Sequence, residues 1–203
     1  MHEISAILLA AGQSRRMGAF KPLLPFGDKT VIESCLDNLR ASEIDEIVVV
    51  VGHRADEVRE HLKEAGVRFA LNSDPESEMG VSIARGVEQI SQDAQALLIA
   101  LVDHPAVQSQ TIKQIVDEWR SGVHLVQPEF AGRGGHPVLV DLRYRAELVH
   151  LDPQKGLRDF FDAHRSEVRR LPVASPYVAR DMDTWEDYQR LHLEVFGRAP
   201  GPL

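Results

Sequence analysis

Three short runs, Ile4–Ala10, Glu46–Val51 and residues 96–102, are apolar at almost every position. A strand with one wet face alternates apolar and polar residues, so unbroken runs predict strands buried on both faces. Between and after them, apolar residues recur at helical spacing. This predicts helices over 30–40, 55–65 (closed by Gly66), 81–90 and 109–120. Shorter strands are expected at 67–71 and 123–127. Strands and helices in alternation fold as a mostly parallel sheet with helices on both faces, so the expected class is α/β.

After Pro128 the rhythm changes. Gly132, Gly134 and Gly135 predict a small hairpin insertion over 130–140, followed by helical stretches at 142–150 and 156–164. A strand at 168–173 and a helix at 184–196 complete a single domain over residues 1–196. The tail, 197–203, holds two glycines and two prolines and is expected to be flexible. No repeat, low-complexity segment or linker divides the chain.

The net charge of −8 excludes a broad electrostatic attraction to nucleic acid or to an anionic membrane. Any phosphate must then be held by a local group of cations and backbone amides. Cys35, the single cysteine, falls on a helical apolar stripe and reads as a core residue in a reducing compartment. The run from Ala6 to Ala11 is short for a leader and follows Glu3, and no run has membrane-span length, so a cytoplasmic location is expected. The nine histidines lack zinc-ligand spacing and read mostly as surface residues, with no role for His53 or His61.

In open α/β sheets ligands bind beyond the carboxyl ends of the strands. Three polar segments fall there: Gly12 to Lys21, Asn72 to Ser82, and Asp103. In the first, Gly12 and Gly18 permit positive φ and close approach of amides to phosphate. Ser14 adds a hydroxyl, and Arg16 and Lys21 add charge. Two familiar phosphate loops fail. Lys21 lies between Phe20 and Pro22 rather than in Gly-Lys-Ser/Thr, and only two of the three glycines of a dinucleotide fingerprint are present. Alone, the loop is equally a solvated turn.

It is not alone. Ala11-Gly12-Gln13-Ser14-Arg15-Arg16-Met17-Gly18-Ala19-Phe20-Lys21 resembles the signature of the MobA-like nucleotidyltransferases. Later segments match in order. Met79-Gly80-Val81-Ser82 resembles the family's Gly-Met-x-x-Ser stretch, and Asp103-His104-Pro105 its Asp-x-Pro. Gly134-Gly135-His136-Pro137 is similar to its Gly-His-Pro hairpin. Asp181-Met182-Asp183-Thr184-Trp185-Glu186-Asp187 is similar to its Asp-x-Asp-Thr-Pro-Glu-Asp segment, with Trp185 in place of proline.

The resemblance implies a Rossmann-like nucleotidyltransferase sheet and a magnesium- or manganese-dependent transfer of a nucleoside monophosphate. It implies a nucleotide site of Leu9, Ala10, Ala11, Gly12, Ser14, Arg16, Lys21, Asn72, Asp74, Gly80 and Ser82, with Arg16, Lys21 and Asp103 catalytic. It implies an acceptor site of Gly134, Gly135, His136 and Lys155, and a metal held by Asp103 with Asp181 or Asp183. Leu9-Ala10-Ala11-Gly12, where other members have Leu-Ala-Gly-Gly, is similar to the members that use CTP to modify molybdopterin. The implied partners are CTP, a molybdopterin-type cofactor and a molybdoenzyme recipient.

Bland readings stand beside these. Asp103 has the lesser reading of a turn or cap residue, and Asp183 that of a cap for the helix at Thr184. Asn72 and Asp74 suit a plain turn, Ser82 a helix entry, Gly134 to His136 a hairpin tip, and Lys155 a solvated surface. GTP, or a sugar or alcohol phosphate acceptor, is the alternative within enzymes. A non-catalytic molybdenum cofactor maturation factor is the alternative outside them.

Overall fold

A computed structural model describes residues 3–44, 46–74, 76–152 and 155–201. The chain begins with β1 (Ile4–Ala10), a small ribbon of β2 (Pro25–Phe26) and β3 (Lys29–Thr30), and α1 (Val31–Arg40). Next come β4 (Glu46–Val51), α2 (Ala55–His61), β5 (Arg68–Leu71), α3 (Met79–Val87), β6 (Ala96–Leu101) and α4 (Ser109–Arg120). The remainder is β7 (Leu125–Phe130), β8 (Arg133–Gly134), β9 (Val138–Asp141), α5 (Arg145–Val149), α6 (Gly156–Ala163), β10 (Val168–Pro172) and α7 (Trp185–Phe196).

The main sheet has the order β10-β7-β9-β6-β1-β4-β5, with β8 paired to β7. β6, β1, β4 and β5 are parallel, and β9 runs antiparallel between β6 and β7. The apolar strands split by the period of two. Ala6, Leu8, Val49, Val51 and Leu98 face a layer that includes α1, α4 and α7. Ile7, Val48, Val50, Leu97 and Ile99 face α3, α5 and α6. Burial on both faces is why these strands carry no polar alternation.

The second half departs from its expected layout. β7 passes straight through Pro128 to Phe130 instead of stopping at residue 127. The proline is tolerated because the neighbour changes there: β9 pairs with Leu125 and Val126, and β8 with Glu129 and Phe130. Pro128 contributes only its carbonyl, which accepts the Gly135 N–H at 2.8 Å. The hairpin is thus β7–β8, and Val138–Asp141 pairs with Ala96 to Ile99 of β6 in the main sheet. α2 stops at His61, α3 spans Met79–Val87 rather than 81–90, and residues 142–144 form a 3-10 turn ahead of α5. In the tail, Arg198 reaches Asp28 at 3.2 Å and its carbonyl meets the His192 ring at 2.8 Å, so these residues are tied down.

The histidines also depart from expectation. His192 is buried and its Nε2 lies 3.3 Å from the Gly27 amide. His164 lies against Tyr144 and Phe160, with Nε2 2.8 Å from Glu147 Oε2 and Nδ1 3.3 Å from Glu167 Oε1. The hydrogen bond to Glu147 above all, aided by Glu167 and opposed by burial, raises the His164 pKa above its ordinary value. A raised folded-state pKa gives stability that is fully present below the unfolded-state pKa and lost as pH rises through the folded-state pKa. His164→Gln is therefore expected to lower Tm most in acid solution, with the deficit shrinking in alkali. Melts across that range check it, and a deficit independent of pH would remove the charged histidine from the account.

Candidate active site

Because β1, β4, β5 and β6 are parallel, their carboxyl ends share one edge. Ala10 is beside Val51, Val51 beside Leu71, and Leu9 beside Leu101. Ala11, Gly52, Asn72 and Val102 therefore emerge together however far apart they are in sequence. A Cβ on Gly52 would lie 2.9 Å from the carbonyl oxygens of both Ala11 and Asn72, so this convergence needs glycine. Sequence reasoning missed Gly52, although its place directly after a buried strand is the signal that marks it.

The loop after β1 folds on itself. Ser14 and Gly18 take left-handed φ of 55° and 71°. The Ser14 carbonyl accepts the Met17 and Gly18 amides at 3.1 and 3.2 Å. Ser14 Oγ accepts the Lys21 amide at 3.2 Å. Gly12 does not use positive φ; it has open space around its Cα instead. Phe20 anchors the loop, its ring under the Arg54 guanidinium at 4.6 Å. The next residue, Lys21, opens a short 3-10 turn with Pro22 and is 8% exposed.

A cleft of about 240 Å³ opens over this edge. Leu9, Ala11, Gly12, Ser14, Lys21, Asn72, Asp74, Ser82 and Asp103 line it, with Ser77 and Met79, which the sequence reading missed. Ala10 and Gly80 do not reach it: Ala10 is 1% exposed inside the sheet, and Gly80 is buried in the first turn of α3. Arg16 stands outside, with 75% of its side chain exposed.

The loop after β5 carries both its readings at once. Asn72 Nδ2 donates to Ser77 Oγ and to Ser82 Oγ, each at 2.8 Å, and its Oδ1 accepts the Asp74 amide at 3.3 Å. Asp74 Oδ1 accepts the Glu76 amide at 3.0 Å, an Asx-type turn. Asn72 thus ties the loop to α3 while its buried amide forms part of the cleft wall.

The carboxylates converge on Lys21. Its Nζ donates to Asp183 Oδ1 at 2.8 Å and lies 3.8 Å from Asp103 Oδ2. Asp183 Oδ2 is 2.8 Å from the Arg16 guanidinium. Two cations and two carboxylates, brought from residues 16, 21, 103 and 183, therefore balance one another. Asp183 is not the helix cap: Thr184 caps α7, in a capping box with Asp187. Asp181 is exposed and lines a different hollow, beside Ala179 and Arg190.

Asp103 Oδ1 is buried and accepts no hydrogen bond among the described residues, the ring nitrogen Nε2 of His104 lying 3.8 Å away. An orphaned carboxylate oxygen is costly in a low-dielectric site unless something hard and positive meets it. A divalent cation of the magnesium type fits this donor chemistry. Such ions are commonly held by one or two carboxylates, with phosphate oxygens and water completing the shell. No group of three ligating side chains stands together among the described residues.

A second, wider hollow of about 890 Å³ adjoins the cleft, with Met79 in both walls. It brings together Gly134, His136 and Lys155. Gly135 lies beneath, where a Cβ would fall 2.0 Å from the Val178 carbonyl oxygen, so this glycine lets the hairpin seat against residues 176–179. Burial, and secondarily the neighbouring His104, depress the His136 pKa to about 4, so the ring is neutral at physiological pH. His136 Nδ1 is buried without a hydrogen-bond partner among the described residues.

A parallel sheet with a cation-and-carboxylate group over its carboxyl edge defines an α/β enzyme that handles phosphates, and the relatives make that class specific. Residues 6–168 match the MobA-like NTP transferase domain, and the chain belongs to that family of nucleotidyltransferases. It is 27% identical over 197 residues to nicotine blue oxidoreductase of Paenarthrobacter nicotinovorans, covering 93% of this chain and 96% of that one. The crystal structure of Rv0371c from Mycobacterium tuberculosis is similar, with TM-score 0.84 and 29% identity over 94% of this chain and 97% of the other. Rv0371c has also been solved in complex with manganese. A nucleotidyl transferase from Methanothermobacter thermautotroptrophicus aligns with TM-score 0.82 and 25% identity, covering 96% and 98% of the two chains. Among the described residues no helix is long and apolar enough to cross a membrane.

Proposed function

We propose that this nucleotidyltransferase moves CMP from CTP to the phosphate of a molybdopterin-type cofactor, releasing pyrophosphate. The observation that carries the reading is the adjacency of the two hollows. Met79 stands in the wall both of the cleft over Lys21 and Asp103 and of a second basin with its own cations. A phosphate held in the basin meets a triphosphate held in the cleft at their junction.

The transfer is an in-line displacement at the α-phosphorus. An acceptor phosphate oxygen forms the new P–O bond as the bond to pyrophosphate breaks, the electron pair leaving with pyrophosphate. The acceptor is already ionised, so no side chain need remove a proton, and positioning and charge stabilisation supply the rate. Lys21 and Arg16 turn from their carboxylates to the phosphates. Asp103 and Asp183 would hold Mg²⁺ or Mn²⁺, which supplies Lewis-acid polarisation of the phosphate oxygens. Leu9, Ala11, Gly12, Ser14, Asn72, Asp74 and Ser82 form the nucleotide wall, and Gly134, His136 and Lys155 face the acceptor. A cytosolic site of action and a molybdoenzyme recipient belong to the same proposal. The near-full-length relative named for a redox activity is a reminder that the fold alone does not select the chemistry.

The base choice rests on Ala11, whose methyl lies at the cleft wall against Gly52. A panel of nucleoside triphosphates with molybdopterin, scored by pyrophosphate, tests it. CTP should lead in the wild type, and Ala11→Gly should admit GTP by enlarging the wall. A wild type that prefers GTP would sink the cytidine assignment. Pyrophosphate release with sugar phosphates and not with molybdopterin would replace the acceptor.

A further inference from the structure

The two carboxylates of the cleft meet its cations differently. Each oxygen of Asp183 already faces one: Oδ1 accepts from Lys21 Nζ, and Oδ2 lies against the Arg16 guanidinium, both at 2.8 Å. Asp103 turns Oδ2 toward Lys21 at 3.8 Å and keeps Oδ1 without a hydrogen bond among the described residues, His104 Nε2 being 3.8 Å away. The side chains of Lys21 and Asp183 are 11% and 22% exposed, so water and salt screen their pairing poorly. Arg16, with 75% of its side chain exposed, is the weaker partner. Ser14 Oγ holds the Lys21 amide at 3.2 Å, so release of the ammonium has to come from the side chain.

We infer that the Lys21–Asp183–Arg16 cluster is an autoinhibitory lock, which makes the empty site a poor binder of metal or triphosphate alone and a good binder of both together. The carboxylate that a divalent cation needs and the cations that a triphosphate needs neutralise each other. A cation reaches Asp103 Oδ1 without breaking a hydrogen bond, but it gains Asp183 only as Lys21 leaves. Lys21 in turn finds a new partner only when phosphate oxygens stand in the cleft that it lines. A partly buried charge left unpaired is costly, and either ligand bound singly leaves one such charge behind. Bound together they leave none. The two ligands are thus coupled, and the coupling acts equally in both directions. The inference rests on reading this group as the metal and triphosphate site, and it adds how each ligand depends on the other.

Two binding measurements test the lock without reading turnover. Mn²⁺ alone, titrated by the electron paramagnetic resonance of the free ion, should bind Lys21→Met about tenfold tighter than the wild type, a typical coupling. Arg16→Gln should tighten it by a smaller factor. Arg15→Gln removes a cation of the same loop that pairs with Glu76 instead, and should leave Mn²⁺ affinity at the wild-type value. In the reciprocal arm, CTP is titrated calorimetrically in EDTA. Asp183→Asn should bind it tighter than the wild type, because Lys21 and Arg16 are released, whereas Asp181→Asn should not. This arm needs no change at Lys21. Mn²⁺ affinity that is unchanged or weaker in Lys21→Met overturns the inference, as does unchanged CTP affinity in Asp183→Asn. Equal gains in Arg15→Gln or Asp181→Asn also overturn it, since net charge alone would then account for the effect. Absence of Mn²⁺ and CTP binding from every protein would overturn the reading of the site itself, which keeps the two failures apart.

Discussion

Lys21→Met is expected to cut pyrophosphate release by about two to three orders of magnitude, the usual cost of removing one preorganised charge from a developing phosphate transition state. Lys21 is the point on which the candidate site turns. Its side chain is 11% exposed, and its ammonium lies within 4 Å of both Asp183 and Asp103. Methionine keeps the length and apolar stem while removing the charge. Asp183 retains Arg16, but Asp103 loses its nearest cation, so Tm should also fall while unfolding stays cooperative. Arg16→Gln should cost less, because its side chain is 75% exposed and shares Asp183 with Lys21. Turnover and thermal melts on both proteins check the order. Wild-type turnover in Lys21→Met would place the triphosphate elsewhere.

Asp103→Asn should be nearly as damaging, for a different reason. The amide keeps the shape of the side chain, and Asp103 Oδ1 has no hydrogen-bond donor to lose among the described residues, so Tm should stay close to wild type. An amide is a much poorer partner for a hard cation than a carboxylate. Losing several kcal/mol of Lewis-acid stabilisation would lower the rate by about a hundredfold or more. Partial recovery at high Mn²⁺, which binds such sites more tightly than Mg²⁺, is expected. Asp183→Asn should follow Asp103→Asn, since both carboxylates face Lys21. Asp181→Asn should leave the rate unchanged, since that residue lines another hollow. Full turnover by Asp103→Asn at limiting Mg²⁺ would remove the metal from this position, and a dead Asp181→Asn would exchange the two aspartates.

The N-terminal half and most elements of the site could be read from the residues in order. Three strands with no polar alternation had to be buried on both faces, and the polar segments opening at Gly12 and at Asp103 marked where the first and the third ended. The local signals that failed share one property: their partner lay far off in sequence. Val138–Asp141 looked like half of a hairpin because a short apolar segment does not specify its neighbours; in the structure it pairs antiparallel with β7 on one side and with β6, forty residues earlier, on the other. Pro128 looked like a stop, and only the change of neighbour from β9 to β8 shows why the strand passes through it.

Strand ends nominated Lys21 and Asp103, and the resemblance to the family added the Asp181–Asp183 pair. Choosing between the pair was beyond them, because in an extended segment residues two apart point the same way. The fold separates them by their surroundings: Met182 is buried, Thr184 takes the cap, Asp183 meets Lys21 and Arg16, and Asp181 lines another hollow. Arg133, Lys155, Arg158, Arg165 and Arg170 are spread along the sequence with six acids between the first and the last, and only the fold lines one hollow with them. Periodicity is a local property and survives in the sequence; a shared electrostatic field is set by distances across the fold, and only the tertiary structure supplies those.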